Sequence, residues 1–153
     1  MRRDPTWLLL AILLVAAVLL RIHRLGDETW LDEILTQIRV SRLGLWQLAT
    51  TYESQNQHLL YSLLARLSID VLGDTVIALR APAAICGVLS IAATFLVGRE
   101  LLSRREALVA AALLAFSDLH VWFSQNARGY TALALATLPV SYTHLTLPTI
   151  LRV

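Results

Sequence analysis

Three short polar patches carry the residues of this chain best suited to chemistry: Trp30-Leu31-Asp32-Glu33, Asn56-Gln57-His58 and Trp122-Phe123-Ser124-Gln125-Asn126-Ala127-Arg128-Gly129-Tyr130. A carboxylate such as Asp32 or Glu33 can take a proton from a hydroxyl as a general base. It can also hold a divalent cation through hard oxygen ligands. Asp27 and Glu28 lie just upstream. The plain alternative for the acidic pair is a helix N-terminus, where negative side chains are favoured. His58 can ligate a metal or contact a phosphate or other substrate group, or simply be the polar residue that opens a helix. Arg128 presents a planar fork of donors that suits a phosphate, and Gln125 and Asn126 can donate to a sugar or phosphate. Tyr130 is an aromatic with a polar tip, common at membrane interfaces. For this third patch the plain alternative is a hydrated loop that turns at Gly129.

The elements that must position these patches are membrane helices. Of the 153 residues, 57% are hydrophobic and 16% charged, against about 25% charged in soluble domains. Mean hydropathy is +0.64. Net charge is +2 and the arginines fall in short clusters, a poor footprint for nucleic-acid binding. A single cysteine, Cys86, sits in an apolar run, which excludes an intrachain disulfide and a thiolate metal site. There is no Gly-rich phosphate loop, HExxH or G-x-S-x-G elbow, so a donor is expected through the membrane rather than as a cytosolic nucleotide sugar.

Apolar runs place spans at about 7–23, 80–97, 107–123 and from 130 onward, with a large external loop at 24–79. A signal peptide competes for the first run, but Arg21-Ile22-His23-Arg24 is a bad cleavage site. The basic N-terminus and the stretch holding Arg99, Arg104 and Arg105 read as cytoplasmic, which puts all three polar patches on the opposite face. The leucines of 58–72 fall on one helical face, and 33–48 alternates similarly, so the external loop is expected to hold two amphipathic helices on the membrane surface, the second closed by Gly73-Asp74. Pro82 is expected in a first helical turn, with Arg80 snorkelling to headgroups. The four tryptophans suit interfacial anchors. Asp118 and His120 are ionisable residues unusually close to lipid.

The segment Val140–Thr149, polar and β-branched, is expected to interrupt the fourth helix. With one choice of codons it can be back-translated as GTC TCT TAT ACA CAT CTG ACG CTG CCG ACG, similar to a transposase-end adapter used in preparing DNA libraries. Residues 139–153 are therefore expected to be a non-native tail on the N-terminal fragment of a longer protein, a fragment expected to be inactive alone.

The order W-L-D-E, N-Q-H-L-L-Y-S-L-L, A-L-R-A-P-A, V-G-R-E-L-L-S-R-R-E-A-L and H-V-W-F-S-Q-N-A-R-G-Y resembles the GT-C membrane glycosyltransferases, within them the protein-mannosyltransferase and aminoarabinose-transferase-like group (glycosyltransferase family 39). The resemblance covers about residues 7–138. It implies an all-α polytopic fold and sugar transfer from a polyprenyl-phosphate donor to a glycan, lipid or protein acceptor on the outer face of the membrane, with inversion. It implies Asp32 as catalytic base with Glu33 beside it, and Arg128 and Tyr130 near the lipid phosphate. Gln125 and Asn126 join the expected donor-binding set, and His58 is expected to meet a metal or substrate. The family's Pro-Pro-Leu after this histidine reads His58-Leu59-Leu60 here. A divalent cation is a possible cofactor, and a bacterial inner membrane is the expected location. A non-catalytic membrane protein, such as a polyprenyl-linked sugar transporter or flippase or an accessory subunit, is the alternative.

Overall fold

The computed structural model describes residues 5–52 and 57–150, with side chains as far as residue 146; Arg2, Arg3 and Asn56 lie outside the described residues. Those residues form eight helices and no strand: α1 (Thr6–Ile22), α2 (Leu31–Arg42), α3 (Leu45–Thr50), α4 (Leu59–Leu72), α5 (Val76–Leu101), α6 (Arg104–Ala115), α7 (Asp118–Ser124) and α8 (Tyr130–Ile150). The spine is α5, which packs against α1, α4, α6, α7 and α8. It is also the one helix among the described residues long and apolar enough to cross a bilayer alone.

The spine starts earlier than its apolar run. Thr75 caps it, its hydroxyl accepting from Ala78 N at 3.1 Å, so the expected start near residue 80 moves to Val76 and Pro82 lies inside the helix rather than in its first turn. At the other end the arginine-rich stretch 98–106 is not a free loop. It is the end of α5, a tight turn and the first turn of α6. A capping box starts α6 at once: Ser103 N donates to Glu106 Oε2 at 2.9 Å, and Glu106 N to Ser103 Oγ at 3.4 Å.

Two further expectations are corrected. The span at 107–123 is two helices, α6 and α7, meeting at 62°. Ser117 is the reason: it caps α7, accepting from His120 N at 3.5 Å. The amphipathic stretch 33–48 is likewise split at Leu43-Gly44, both extended, into α2 and α3. The second amphipathic helix, α4, has its expected bounds, and Gly73 closes it at φ +86°, a backbone state that favours glycine. The break at Pro139 is absent, because α8 continues to Ile150. Its β-branched polar residues turn hydroxyls back onto the helix, Thr137 to Ala134 O, Thr143 to Val140 O and Thr146 to Tyr142 O.

Two apolar cores lie along α5. One joins Leu10, Leu13 and Ala17 of α1 to Ile91 and Phe95 of α5 and to Ala107, Ala111 and Ala115 of α6. That alanine column, repeating every four residues, lets helix backbones approach closely. The other joins Val40 of α2, Tyr61, Ala65 and Ile69 of α4, and Ala78, Leu79 and Ala83 of α5. Trp7 closes the first core edge-on to Phe95 (5.6 Å between ring centroids), with the Arg99 guanidinium 5.5 Å over its ring. The start of α1 and the arginine-rich turn thus share one end of the bundle, away from Arg80. Between Arg80 and Arg99 the helix rises about 28 Å, near the ~30 Å of a hydrocarbon core.

The tightest approach in the bundle is at Gly87. A Cβ there would stand 2.2 Å from Ser124 Oγ and 2.9 Å from Ser124 Cβ. Gly87→Ala is expected to destabilise the protein by about 1–3 kcal/mol through overpacking, read as a lowered melting temperature in detergent. A melting temperature at or above that of the parent would mean that α7 can move away freely.

Candidate active site

At the Arg80 end, the α1–α2 connection, the start of α2 and the α7–α8 connection are gathered around one ion pair. Glu33 and Arg80 are both almost fully buried, at 1% and 3% exposure. Arg80 places Nε on Glu33 Oε1 (2.9 Å) and Nη2 on Oε2 (2.7 Å), a bidentate fork. Its other N–H groups go to Leu25 O (3.1 Å), Asp27 O (3.0 Å) and Glu28 O (3.0 Å), so all five donors are committed. Glu33 also accepts from Ala127 N on Oε1 (2.6 Å) and from Trp30 N on Oε2 (3.1 Å). Burial alone would raise its pKa, but the Arg80 side chain and the Ala127 and Trp30 N–H groups outweigh it and hold the carboxyl below the ordinary carboxylate range.

This changes two sequence expectations. Arg80 does not snorkel; it is the clasp that fixes three loop carbonyls. Glu33 is charged but enclosed, with both oxygens already accepting two bonds, so no oxygen faces a substrate hydroxyl. It holds the start of α2 and the α7–α8 connection in register.

That register brings Asp32 and Arg128 together. Arg128 Nη2 lies 2.6 Å from Asp32 Oδ2, with the arginine side chain 11% and the aspartate 42% exposed. Both line a cleft of about 440 Å³ between α2 and α4 that also takes in His58, Arg39 and Arg42. Sequence reading left out these last two arginines. Their signal was the spacing 32, 39, 42 on one amphipathic helix, which repeats the face of Asp32.

His58 and the third patch meet directly. A Cβ on Gly129 would stand 3.1 Å from His58 Cβ, so the absence of a side chain there admits the imidazole. The ring lies edge-on to Tyr130 at 5.1 Å, and Tyr130 in turn tilts against Phe123 at 4.5 Å. Burial, and then the Arg128 charge, lower the His58 pKa, which favours the neutral ring. Gln125 and Asn126 are turned to their own scaffold. Gln125 Nε2 donates to Leu20 O at 2.9 Å, and the buried Asn126 donates to Trp122 O at 2.7 Å. They shape the connection that carries Arg128 rather than reaching out with these amide donors.

Among the described residues, no three of His, Cys, Asp and Glu come together in a way that could hold a metal ion. Asp32 faces a guanidinium instead, and His58 feels the same cation.

The chain belongs to a family of membrane glycosyltransferases. The model of the dolichyl-phosphate-mannose-protein mannosyltransferase family matches residues 56–148, from the patch before α4 through α8 and beyond Pro139. The membership makes it a glycosyltransferase of the GT-C kind, consistent with the all-helical fold. No curated protein and no solved structure gives a significant match.

Proposed function

We propose that the enzyme transfers a sugar from a polyprenyl-phosphate donor to an acceptor hydroxyl on the non-cytoplasmic face of the membrane, with Asp32 as base and Arg128 as the phosphate-holding group. The observation that carries this reading is the 2.6 Å Asp32–Arg128 pair at the mouth of the cleft. It joins the two groups the reaction needs, one to take a proton and one to receive negative charge. When the donor phosphate enters, it competes with Asp32 for the Arg128 fork, and the released carboxylate turns to the acceptor. The acceptor oxygen then forms a bond to the anomeric carbon as the carbon–oxygen bond to phosphate breaks. The acceptor proton goes to Asp32, and polyprenyl phosphate leaves with its new charge against Arg128. In-line displacement inverts the anomeric centre.

Arg39 and Arg42 add positive charge along the cleft wall, and neutral His58 packs beside Arg128 without competing for the phosphate. The exposed Trp30 and Trp122 suit the headgroup zone. The basic turn at the far end of α5 suits the cytoplasmic side, so the polar end faces out. α1, α5, the bent α6–α7 pair and α8 then cross the membrane, and α2–α4 lie on its outer surface.

Arg128→Ala tests the phosphate assignment. It removes a charge-assisted contact worth about 1.5–3 kcal/mol, so the KM for the donor is expected to rise about 10–100-fold. Initial rates at varied concentrations of polyprenyl-phosphate sugar in proteoliposomes read it. An unchanged donor KM would remove Arg128 from the phosphate site.

A further inference from the structure

A second buried arginine lies behind the site, and neither the family match nor the proposed chemistry uses it. Arg21, in the last turn of α1, is 1% exposed. Among the described residues, none of its hydrogen bonds goes to a carboxylate: Nη1 donates to Ala17 O (2.9 Å), Nε to Ser124 Oγ (3.1 Å), and Nη2 meets His120 Nδ1 (2.7 Å). Because a guanidinium only donates, His120 Nδ1 must accept, and the ring proton is left on Nε2. Nε2 then donates to Ser90 Oγ (2.9 Å), and Ser90 donates to Gly87 O (2.9 Å). Ser124 closes the circuit by donating to His120 O at 2.6 Å. Each of these bonds runs in one direction, and the circuit closes with a neutral His120.

The circuit clamps α7 to α1 and α5 immediately before the α7–α8 connection. From there four of five successive residues are tied to α1 or α2: Ser124 to Arg21, Gln125 to Leu20 O, Ala127 N to Glu33, and Arg128 to Asp32. We propose that Arg21 and His120 are positioning residues that set the α7–α8 connection and so hold Arg128 where it meets the donor phosphate. The inference rests on the phosphate role given to Arg128 above.

The test measures binding of farnesyl phosphate to the detergent-solubilised enzyme encoded at the source locus, carried to its stop codon. His120→Leu removes the acceptor facing Arg21 at similar volume and is expected to weaken binding about tenfold. His120→Asn places Oδ1 near the position of Nδ1 and is expected to recover most of that loss. In the double variant His120→Leu/Arg128→Ala, affinity is expected to match Arg128→Ala alone, because His120 acts through Arg128. A role in stability only would instead lower the melting temperature and leave the affinity of the folded fraction unchanged, which would overturn the proposal; so would additive losses. If His120→Leu fails to fold, Ser124→Ala, which removes the Arg21 Nε contact and the hydroxyl's bond to His120 O but leaves the imidazole in place, carries the same comparison. If Arg128→Ala itself leaves farnesyl phosphate binding unchanged, the phosphate reading falls and this inference with it. If Arg128→Ala weakens binding and the His120 variants do not, only the positioning role falls.

Discussion

Asp32→Asn is expected to lower sugar transfer by about 10²–10⁴-fold while leaving the protein folded. The loss is that of a general base, since an amide cannot take the acceptor proton. The fold is spared because Asp32 is 42% exposed and its Arg128 contact is at the rim of the cleft, where a single ion pair contributes about 0–1 kcal/mol. The substitution also weakens the Asp32 contact that competes for the Arg128 fork, so donor affinity is expected to stay level or rise slightly while kcat collapses. Rates with labelled donor, together with melting curves of the same preparation, read both effects. Retention of more than a tenth of the parental kcat would take the base role away from Asp32. The neighbouring Glu33 provides no substitute, because each of its oxygens already accepts two hydrogen bonds.

Arg80→Met is expected to cost about 3–5 kcal/mol of stability, the range for breaking a buried ion pair by removing one partner. The methionine fills the space but leaves the Glu33 carboxylate 1% exposed with two of its four hydrogen bonds. It also strips Leu25, Asp27 and Glu28 carbonyls of their donors. Thermal melting in detergent is the readout. Because the largest penalty is the uncompensated Glu33 charge, the double variant Arg80→Met/Glu33→Leu is expected to regain part of the loss. A single variant within about 1 kcal/mol of the parent would mean that the clasp is solvated and the site end of the bundle is not organised by it.

The candidate site was readable in the sequence because its members are adjacent to one another in three polar islands within an apolar chain. Asp32, His58 and Arg128 stand out by type, and the membrane topology implied by the arginines is enough to put their islands at one end. The division of labour within the islands was not readable. Asp32 and Glu33 differ in role only because one faces the cleft and the other faces Arg80, a residue about fifty positions away whose own sequence context reads as a membrane anchor. Gln125 and Asn126 look like ligand donors in a polar run, yet their amide groups are spent on Leu20 and Trp122 carbonyls. Arg21 was hidden for the same reason as Arg80: an arginine after an apolar run ordinarily marks the water boundary, and only the packing of α7 reveals that it is enclosed. Three of the helix boundaries that sequence missed are set by caps, Thr75, Ser103 and Ser117, whose local hydrogen bonds override the apolar pattern on either side; the split between α2 and α3 falls instead at the extended Leu43-Gly44 pair.

The account's central claim is that a sugar–phosphate bond is broken at the Asp32–Arg128 cleft. The most direct measurement adds purified enzyme and isotopically labelled polyprenyl-phosphate sugar to membranes of a source strain lacking the gene, then quantifies the lipid and glycan products by mass spectrometry. The account predicts equal amounts of free polyprenyl phosphate and newly glycosylated acceptor with the parental enzyme, and neither product with Asp32→Asn. Intact donor appearing in the opposite leaflet, at the same rate with both proteins and with no free polyprenyl phosphate, would contradict it and make the protein a carrier.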